Sequence, residues 1–398
     1  MLVSSYPRGP TDSASIFLRH LAESLHDRGL AITVLAPADD KAGTTLENGV
    51  TVQRFHYFPK PWQKLAYGSG ILPNLRRNPI LWLQVPFFLV CMTISLLRGL
   101  HRVRPDVVHA HWVIPQGMIA ILARLFYKTP TVITLHGGDA FAFTNKSLQK
   151  LKQYALRKCD AWTTNTRVTS SAVGSSYLMP QPYVIPMGVD VDRFASGNRN
   201  RLRADLNPDE KIVLFIGRLV EKKGVDDLIR AFSMLPAHLS EKTRLWIVGD
   251  GELRPDLEAL VGQLGVAEHT KFWGRIANNQ LSDYYAAGDI FVGPSVVAES
   301  GDTEGQGVVF IEAFAARLCV LATRTGGISE VIEDGTTGVL VEPSNPPLLA
   351  QAMVALLCNK ELTTRLTANA FAEVQKKYQW AKIASEFECV YRRICPRE

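Results

Sequence analysis

The stretch KIVLFIGRLVEKKGVDDLIRAF, residues 211–232, decides the fold expected for this chain. It begins with an apolar run of a length typical of a buried β-strand, turns at glycines, and continues with apolar residues at helical spacing. A strand that leads through a turn into a helix is the repeating unit of parallel α/β sheets. Apolar strands and helical stretches also alternate through the first half of the chain, before the pattern restarts here. The sequence therefore predicts an α/β protein with two Rossmann-like, doubly wound domains in tandem.

Residues 1–187 form the first predicted domain, with strands in MLVSSYP, AITVLAP, DVVHAH, TVITLHGG, DAWTTNT and PYVIPMG. Residues 188–379 form the second, and a polar, glycine-containing joint over 188–210 opens it. Two such domains with nothing further are expected to face each other across a cleft. Ligands of such sheets bind at the carboxyl ends of the strands, so this cleft is the expected site.

The composition of the 398 residues, 46% hydrophobic and 21% charged, provides for large cores and argues against disorder. The opening MLVSSYP lacks the basic segment of a secretory signal, which predicts a cytoplasmic protein. Six scattered cysteines with no CxxC pair are expected to be reduced thiols that fill the core, rather than disulfides or metal ligands.

Charge is unevenly distributed within the net charge of +6. Residues 1–185 carry 20 Lys and Arg against 9 Asp and Glu, and no acidic residue lies between Glu47 and Asp106. A basic half indicates an anionic partner, and the candidates are a membrane surface, a phospholipid, a phosphate and a nucleic acid.

One segment of this acid-free region, ILWLQVPFFLVCMTISLL at 80–97, carries no charge. Its length is marginal for spanning a membrane, and polar residues interrupt it. Three interpretations remain open: contact with a membrane interface, a buried helix pair, and a true span. In the first, aromatic residues enter the interface and arginines meet anionic headgroups. These residues are Trp62, Trp82, Phe87 and Phe88, with Arg76, Arg77, Arg98, Arg102 and Arg104.

A further glycine loop lies in ESGDTEGQGVVFIEAF, residues 299–314, and runs into an apolar helix. Gly305 and Gly307 let backbone N–H groups approach a ligand, and the helix N-terminus favours negative charge. A carboxylate beside them suits sugar hydroxyls, for which it is a two-oxygen acceptor. Glu304 is therefore assigned to a sugar ring, the helix end to a diphosphate and Glu312 to a ribose. The alternative is a capped helix with solvated acids.

Cations that balance a diphosphate occur in GRLVEKKG, residues 217–224. Arg218 follows the predicted strand and Lys223 precedes the next helix, so the two are expected to clamp phosphate at this turn. Lys222 is expected to face solvent. Gly249, in the GDG turn after the following strand, is expected to line the cleft through its backbone. Ordinary surface charge on the loop is the alternative.

In the first half, TLHGGDAF at 134–141 places His136 at the carboxyl end of a strand. His136 is a candidate contact of the sugar, and Asp139 is a candidate for binding an acceptor or orienting a loop. His109 and His111 alternate along HAHW. Packing or acceptor contact is favoured for them over metal ligation, because no third ligand is apparent.

The tripeptide DVD, residues 190–192, is similar to the metal-binding DxD motif of another transferase fold. That motif requires a strand end beside the ligand, whereas this tripeptide opens the polar joint. No metal site is therefore predicted.

With these pieces in place, the chain resembles the family-4 retaining glycosyltransferases of the two-domain B-type fold over nearly its whole length. The resemblance rests on VIPMGVDVDRF, GRLVEKKGVDDLIRAF, LWIVGDGEL, DIFVGPSVVAESGDTEGQGVVFIEAFA and GVLVEPSNP, which occur in the family's order. The family's E-x7-E motif coincides with Glu304 and Glu312, and its phosphate-binding pair with Arg218 and Lys223. Its active-site histidine coincides with His136.

The resemblance implies further positions. The nucleotide base is expected near FWGRIANNQL, at Arg275 and Ile276, and the C-terminal helix, 380–398, is expected to cross back to the first domain. Catalysis is assigned to His136, Arg218, Lys223 and Glu304. Donor contacts further include Gly249, Gly305, Gln306, Gly307, Val308 and Glu312. The family's first loop usually has adjacent glycines, whereas YPRGPTDSASIF has Gly9 alone; the acceptor side is assigned to Gly9, Asp12, His111 and Asp139.

The resemblance also implies the reaction. A hexose would leave UDP or GDP with retention, without metal or cofactor, and the departing phosphate would take the acceptor's proton. The expected acceptor is a lipid-linked saccharide of bacterial surface-polysaccharide assembly, met at the inner face of the cytoplasmic membrane; no nucleic-acid partner is expected. A soluble acceptor, a nucleotide-sugar epimerase of the same fold and a non-catalytic sensor are the alternatives.

Overall fold

A computed structural model of the protein describes residues 1–9, 12, 14–39, 42–68, 70–141, 145–174 and 179–395. The chain divides into two compact units. The first unit is Met1–Pro186 together with Trp380–Glu398, and the second unit is Met187–Gln379.

The β-strands lie in the following order along the chain: β1 (Thr33–Pro37), β2 (Gly43–Glu47), β3 (Val50–Phe55), β4 (Val108–His111), β5 (Thr131–Leu135), β6 (Ala161–Thr164), β7 (Tyr183–Val184), β8 (Lys211–Ile216), β9 (Thr243–Val248), β10 (Thr270–Gly274), β11 (Ile290–Gly293), β12 (Cys319–Thr323) and β13 (Val339–Val341).

The α-helices are α1 (Ile16–Asp27), α2 (Ile71–Arg77), α3 (Gln84–Val103), α4 (Met118–Ala123), α5 (Gly138–Phe141), α6 (Lys146–Lys158), α7 (Arg167–Ser171), α8 (Val191–Ala195), α9 (Val225–Ser233), α10 (Ala237–Ser240), α11 (Arg254–Gln263), α12 (Leu281–Ala287), α13 (Val308–Ala315), α14 (Ile328–Val331), α15 (Pro346–Cys358), α16 (Lys360–Lys377) and α17 (Trp380–Ile394).

In the first unit, two groups of strands are joined through Leu2. The strands β1, β3 and β2 pair in that order, and β4 to β7 pair in parallel in chain order. Leu2 forms parallel bridges to Leu35 and to Ala110. The strand predicted in MLVSSYP is only this bridge, because the backbone then leaves the sheet and the Pro7 carbonyl accepts a hydrogen bond from Arg54.

The second unit is a parallel sheet of order β10-β9-β8-β11-β12-β13. Alternate residues of β8 point to opposite faces: Ile212, Leu214 and Ile216 enter one core, and Val213 and Phe215 the other. Because both faces are covered, β8 is a continuous apolar run rather than an alternating one. The predicted fold of two doubly wound α/β domains is confirmed.

The uncharged segment at 80–97 has two apolar faces, of which one is covered. The covered face includes Phe88, Met92 and Leu96 in the core of the first unit. The other face is exposed and consists of Leu83, Phe87, Val90 and Ile94. Pro79–Val103, with a mean hydropathy of 2.2 in its most apolar window, is the one helical stretch in the described ranges that is long and apolar enough to cross a membrane.

Of the aromatic residues predicted to enter a membrane interface, Phe88 lies on the covered face. Phe88 is 1% exposed and its ring meets that of Tyr57 edge-on, so its expected entry into a membrane interface is wrong. Trp62, Trp82 and Phe87 are 64%, 58% and 54% exposed. Side chains that are four residues apart share a helix face, and Phe88 therefore follows Gln84 into the core while Phe87 follows Leu83 into solvent.

The cysteines are all free. Cys159 and Cys319 are buried and fit the expectation of core-filling thiols, whereas Cys358 and Cys389 are exposed and do not.

Candidate active site

The loop that precedes α13 depends on a glycine. Gly307 has a φ of +75°, which L side chains rarely adopt, and a Cβ atom there would lie 2.5 Å from the Phe310 ring. The helix begins at the next residue, Val308, and Phe310 is buried in the core. The backbone of 304–307 is therefore held at a helix N-terminus, where N–H groups lack helical partners and can bind an anion.

Two predicted site residues from distant parts of the chain meet at this loop. Lys223 Nζ lies 2.5 Å from Glu304 Oε2, and the two side chains are 13% and 14% exposed. Burial by itself raises the pKa of the Glu304 carboxyl, but Lys223, Lys222 and Arg218 bring that pKa below its usual value. Glu304 is therefore an ionised acceptor beside a cation, which suits a ligand that carries both hydroxyl groups and phosphate.

Lys222 does not face solvent as predicted. Its Nζ donates to Asp302 Oδ1 at 3.1 Å and to the Thr303 carbonyl at 3.2 Å, and the side chain is 12% exposed. Both bonds tie the turn after β8 to the loop before α13. Lys222 thus stabilises the loop that Lys223 contacts.

Arg218 and Gly249 lie at the carboxyl ends of β8 and β9. Arg218 is exposed, and no carboxylate of the described residues forms an ion pair with it. Gly249 has a φ of +135°, and a Cβ atom there would overlap the carbonyl oxygen of Gly217. A Cβ atom at Gly217 would in turn lie 3.7 Å from Lys223 Cε. Because Gly217 and Gly249 lack side chains, the backbone at the end of β9 packs against Gly217, close to the Lys223 side chain.

Glu312 accepts a hydrogen bond from Tyr285, a residue that the sequence analysis did not assign to the site. Tyr285, which is fully buried, donates its hydroxyl to Glu312 Oε2 at 2.7 Å. Burial raises the pKa of Glu312 to about 7, and the Tyr285 bond, Arg193 and Lys223 only partly oppose this. One oxygen of Glu312 is therefore occupied, and the group changes charge near neutral pH.

Gln306, predicted to contact the donor, uses its side chain elsewhere. Its Oε1 accepts from the Met187 N–H at 2.7 Å and its Nε2 donates to the Met187 carbonyl at 3.0 Å. Gln306 is 2% exposed. Any contribution of Gln306 to a ligand is therefore made through its backbone.

The remaining predicted positions of the second unit follow β10 or open the polar joint. Arg275 is exposed and Ile276 packs against the core, next to the end of β10. Asp190 of the DVD tripeptide accepts from the Arg193 N–H at 3.1 Å and caps α8. Aspartate is a common N-cap residue of helices.

In the first unit, His136 and His111 form a stacked, hydrogen-bonded pair. His111 Nδ1 lies 3.0 Å from His136 Nε2, and the ring planes are 22° apart. Phe17 and Trp112 cover His136, and burial lowers its pKa to about 3, so the ring is neutral. His111 is fully buried, so its predicted contact with an acceptor is not made by an accessible side chain.

Asp139 and His109 are bound within the protein. Asp139 accepts from the backbone N–H groups of Val113 and His136, each at 2.9 Å, and thereby orients the loop, which was one of its two predicted roles. His109 bonds Tyr391 of α17 and Thr134. His109 is therefore a packing residue, as favoured.

Arginine side chains bond the described residues of the first loop, at Pro7, Gly9 and Asp12. Gly9 accepts at its carbonyl from Arg19 at 3.2 Å, and Asp12 pairs with Arg8 at 2.6 Å. Arg19 and Arg54 also both donate to the Pro7 carbonyl. Gly9 and Asp12 are placed by these bonds in a basic, tightly bonded loop.

Sequence reasoning missed Tyr285, Met187 and Arg54, each of which holds a predicted residue or loop in place. Tyr285 is separated from its partner by 27 positions and Met187 by 119. No spacing rule links residues so far apart, and Met187 acts through its backbone. A pattern in one sequence therefore carried no signal for them.

Two family models together match most of the chain. The family model "Glycosyltransferase Family 4" matches residues 14–193, and the model "Glycosyl transferases group 1" matches residues 198–373. The chain is 32% identical over 279 residues to the GDP-mannose-dependent alpha-(1-6)-phosphatidylinositol monomannoside mannosyltransferase of Mycolicibacterium smegmatis, covering 67% of this chain and 71% of that protein. It is 26% identical over 404 residues to the alpha-D-kanosaminyltransferase of Streptomyces kanamyceticus, covering 95% and 99%.

Solved structures share the fold. Sucrose-phosphate synthase from Thermosynechococcus elongatus superposes with a TM-score of 0.80 at 22% identity, covering 99% of this chain and 98% of that one. Anabaena HepE, in complex with UDP and glucose, superposes with a TM-score of 0.74 at 20% identity, covering 98% of each chain.

Proposed function

The chain is a member of glycosyltransferase family 4, with the two-domain B-type fold, and from this premise we propose that it transfers a hexose from a nucleotide-diphosphate sugar to a hydroxyl group with retention of configuration. The ion pair between Lys223 and Glu304 carries the proposal. In this pair a cation suited to phosphate lies 2.5 Å from a carboxylate suited to sugar hydroxyls, beside a glycine turn.

The reaction needs no carboxylate base in this proposal. The bond between the anomeric carbon and the β-phosphate oxygen breaks, the acceptor oxygen bonds to that carbon from the same face, and its proton passes to the departing phosphate. Lys223 and Arg218 stabilise the charge that develops on the phosphate. Glu304 orients the sugar through its hydroxyls. A neutral His136 is a hydrogen-bonding group for the sugar rather than a charged one.

We propose that these two cations replace a divalent ion. Both follow β8, and Lys223 reaches the glycine loop before α13, whereas Asp190 of the DVD tripeptide caps a helix. Turnover that requires magnesium and stops with EDTA would overturn this part of the proposal.

Changing Glu304 to Gln is expected to lower turnover about tenfold or more with the fold intact, because a charged acceptor of the sugar hydroxyls is replaced by a neutral one. NMR of the nucleotide-sugar reaction measures the rate and the configuration of the product. Glu299, exposed in the same loop, provides the matched control Glu299→Gln, which should retain wild-type turnover. Equal rates for the two variants would contradict the role of Glu304. Release of an isomerised donor would favour the epimerase, and binding without turnover the sensor.

The affinity for a nucleotide sugar is expected to rise about tenfold from pH 6 to pH 8, since a group with a pKa near 7 is mostly protonated at the lower value and mostly ionised at the higher one. The ionised Glu312 is the stronger acceptor for ribose hydroxyls. Calorimetric titration with the nucleotide sugar measures this, because its diphosphate does not titrate in this range. Glu312→Gln should remove the pH dependence. A flat wild-type profile would count against Glu312 as the ribose ligand.

We propose that the acceptor is lipid-linked and that the enzyme meets it at the inner face of the cytoplasmic membrane. The exposed stripe of Leu83, Phe87, Val90 and Ile94 is apolar and lies on the first unit. The arginines at its two ends, Arg76, Arg77, Arg98, Arg102 and Arg104, are exposed and form no ion pair with a carboxylate of the described ranges. An apolar stripe between unpaired cations matches an anionic bilayer surface.

The protein is expected to bind vesicles that contain phosphatidylglycerol, to release at high salt, and to ignore neutral vesicles, because each basic contact contributes about 1 kcal/mol and is screened by salt. Reversing Arg76 and Arg77 to Glu should weaken binding about tenfold or more while donor hydrolysis persists. Lys376 and Lys377, an exposed basic pair of α16, provide the control reversal, which should have little effect. Negligible binding to both vesicle types at low salt would favour a soluble acceptor.

A further inference from the structure

Gln306 makes an unusual use of its amide. Both of its polar atoms bond to one backbone residue, Met187, at 2.7 and 3.0 Å, as two paired strands would bond each other. Gln306 and Met187 are each 2% exposed. Within the described ranges, no backbone group forms a hydrogen bond with the N–H or the C=O of Met187. Without Gln306, these two buried groups would lose their partners.

Met187 lies at the point where the chain passes from the first unit to the second. The chain returns between Gln379 and Trp380. The two passages are joined inside the second unit, because the Val189 N–H donates to the Tyr378 carbonyl at 2.8 Å and Val189 bridges Gln379. Gln306 therefore links the loop of Glu304 to the segment through which both passages run.

We infer that Gln306 is a positioning residue that couples occupancy of the loop 304–307 to the connecting segment at 187–189. The inference rests on the proposed function, in which this loop holds the donor. A ligand that steadies the loop is expected to steady Met187 as well, because both polar atoms of the Gln306 amide bond this residue. Loss of the amide should let the loop bind its ligand while the connecting segment no longer responds.

Hydrogen exchange of the full chain tests this with UDP and with GDP as probes. In the wild type, the nucleotide that binds is expected to slow exchange of the Met187 amide at least fivefold. Gln306→Met keeps the size of the side chain but cannot bond Met187, and its Met187 amide should exchange rapidly with or without nucleotide. Gln306→Glu retains an acceptor for the N–H and loses the donor, so it should show an intermediate response. Gln263→Met, on the exposed side of α11, is the control and should behave as the wild type.

Kinetics separate positioning from general damage. Gln306→Met is expected to lower kcat about tenfold while the KM for the donor changes less than threefold, since the donor contacts of the loop are made by its backbone and by Glu304. Equal losses in kcat and in donor affinity would mean a merely structural role. Unchanged Met187 exchange in the wild type, when calorimetry shows that nucleotide binds, would overturn the inference even if neither variant folds. Failure of both nucleotides to bind the wild type would instead overturn the proposed function, and the inference with it.

Discussion

Replacing Lys223 with alanine is expected to lower kcat/KM by a factor of about 30 to 1,000, which corresponds to 2–4 kcal/mol of transition-state stabilisation, as for the loss of one oxyanion donor. Lys223 is the cation that the structure places closest to the loop of Glu304. In the proposed mechanism its loss removes charge from beside the departing phosphate, and it also leaves the partly buried Glu304 without its ion-pair partner. The pKa of Glu304 should then rise, because burial is no longer opposed by the nearest cation.

Steady-state kinetics with a nucleotide sugar measure this effect. Arg218→Ala should show a loss of similar size while leaving the ion pair of Lys223 with Glu304 in place, since Lys223 and not Arg218 contacts Glu304. Lys211→Ala is the matched control, because Lys211 is exposed at the opposite end of β8. A Lys223→Ala enzyme within threefold of the wild type would refute the phosphate clamp. The double variant Lys223→Ala/Glu304→Gln should lose less than the sum of the single losses, because the two groups are in contact.

Replacing Gly249 with alanine is expected to destabilise the second unit by about 3 kcal/mol or more, from backbone strain together with a backbone overlap. The φ of +135° is unfavourable for any L side chain, and the new Cβ atom would overlap the Gly217 carbonyl. Neither group can move freely, since the Gly249 N–H bonds the Gly274 carbonyl at 2.8 Å and the Gly217 N–H bonds Val248.

Thermal or urea unfolding of the full chain measures the loss for Gly249→Ala. The control is Gly262→Ala, in α11, where a Cβ atom meets nothing within 4 Å. That change should stabilise the protein by up to about 1 kcal/mol, because alanine favours the helix over glycine. Equal melting temperatures for the two variants would contradict this expectation, because they would show that Gly217 and Gly249 can move apart without loss of stability.

The fold was predictable because it depends on short-range pattern. The apolar run of 211–216 and the helical spacing of α9 are visible in any window of the sequence. The pairing of Lys223 with Glu304 was not predictable, because two separate motifs had to be brought together across 81 positions. The sequence assigns each residue to the site individually, and their contact follows from the sheet order, which places β8 beside β11.

For the segment at 80–97, the sequence does not predict which helix face is buried. Its residues are apolar on both sides, so periodicity does not tell which face meets the core. Phe87 and Phe88 are adjacent and chemically identical, and the structure exposes one and buries the other. The choice depends on which residues lie opposite, here Tyr57 and Phe55. The assignments of Gly9, Asp12, Arg275 and Ile276 to ligands stay predictions, since their surroundings specify no chemistry of their own.

If Lys223 and Glu304 have the proposed roles, their ion pair has a consequence for which ligands bind the free enzyme. Inorganic phosphate or a bare triphosphate that recruits Lys223 would leave Glu304 ionised beside added negative charge, which is costly in a buried position. A nucleotide sugar would bring hydroxyl groups to Glu304 as its diphosphate binds Lys223. We therefore expect the ion pair to separate at low cost only for ligands that satisfy both groups, and expect inorganic phosphate and bare triphosphates to compete poorly with a nucleotide sugar.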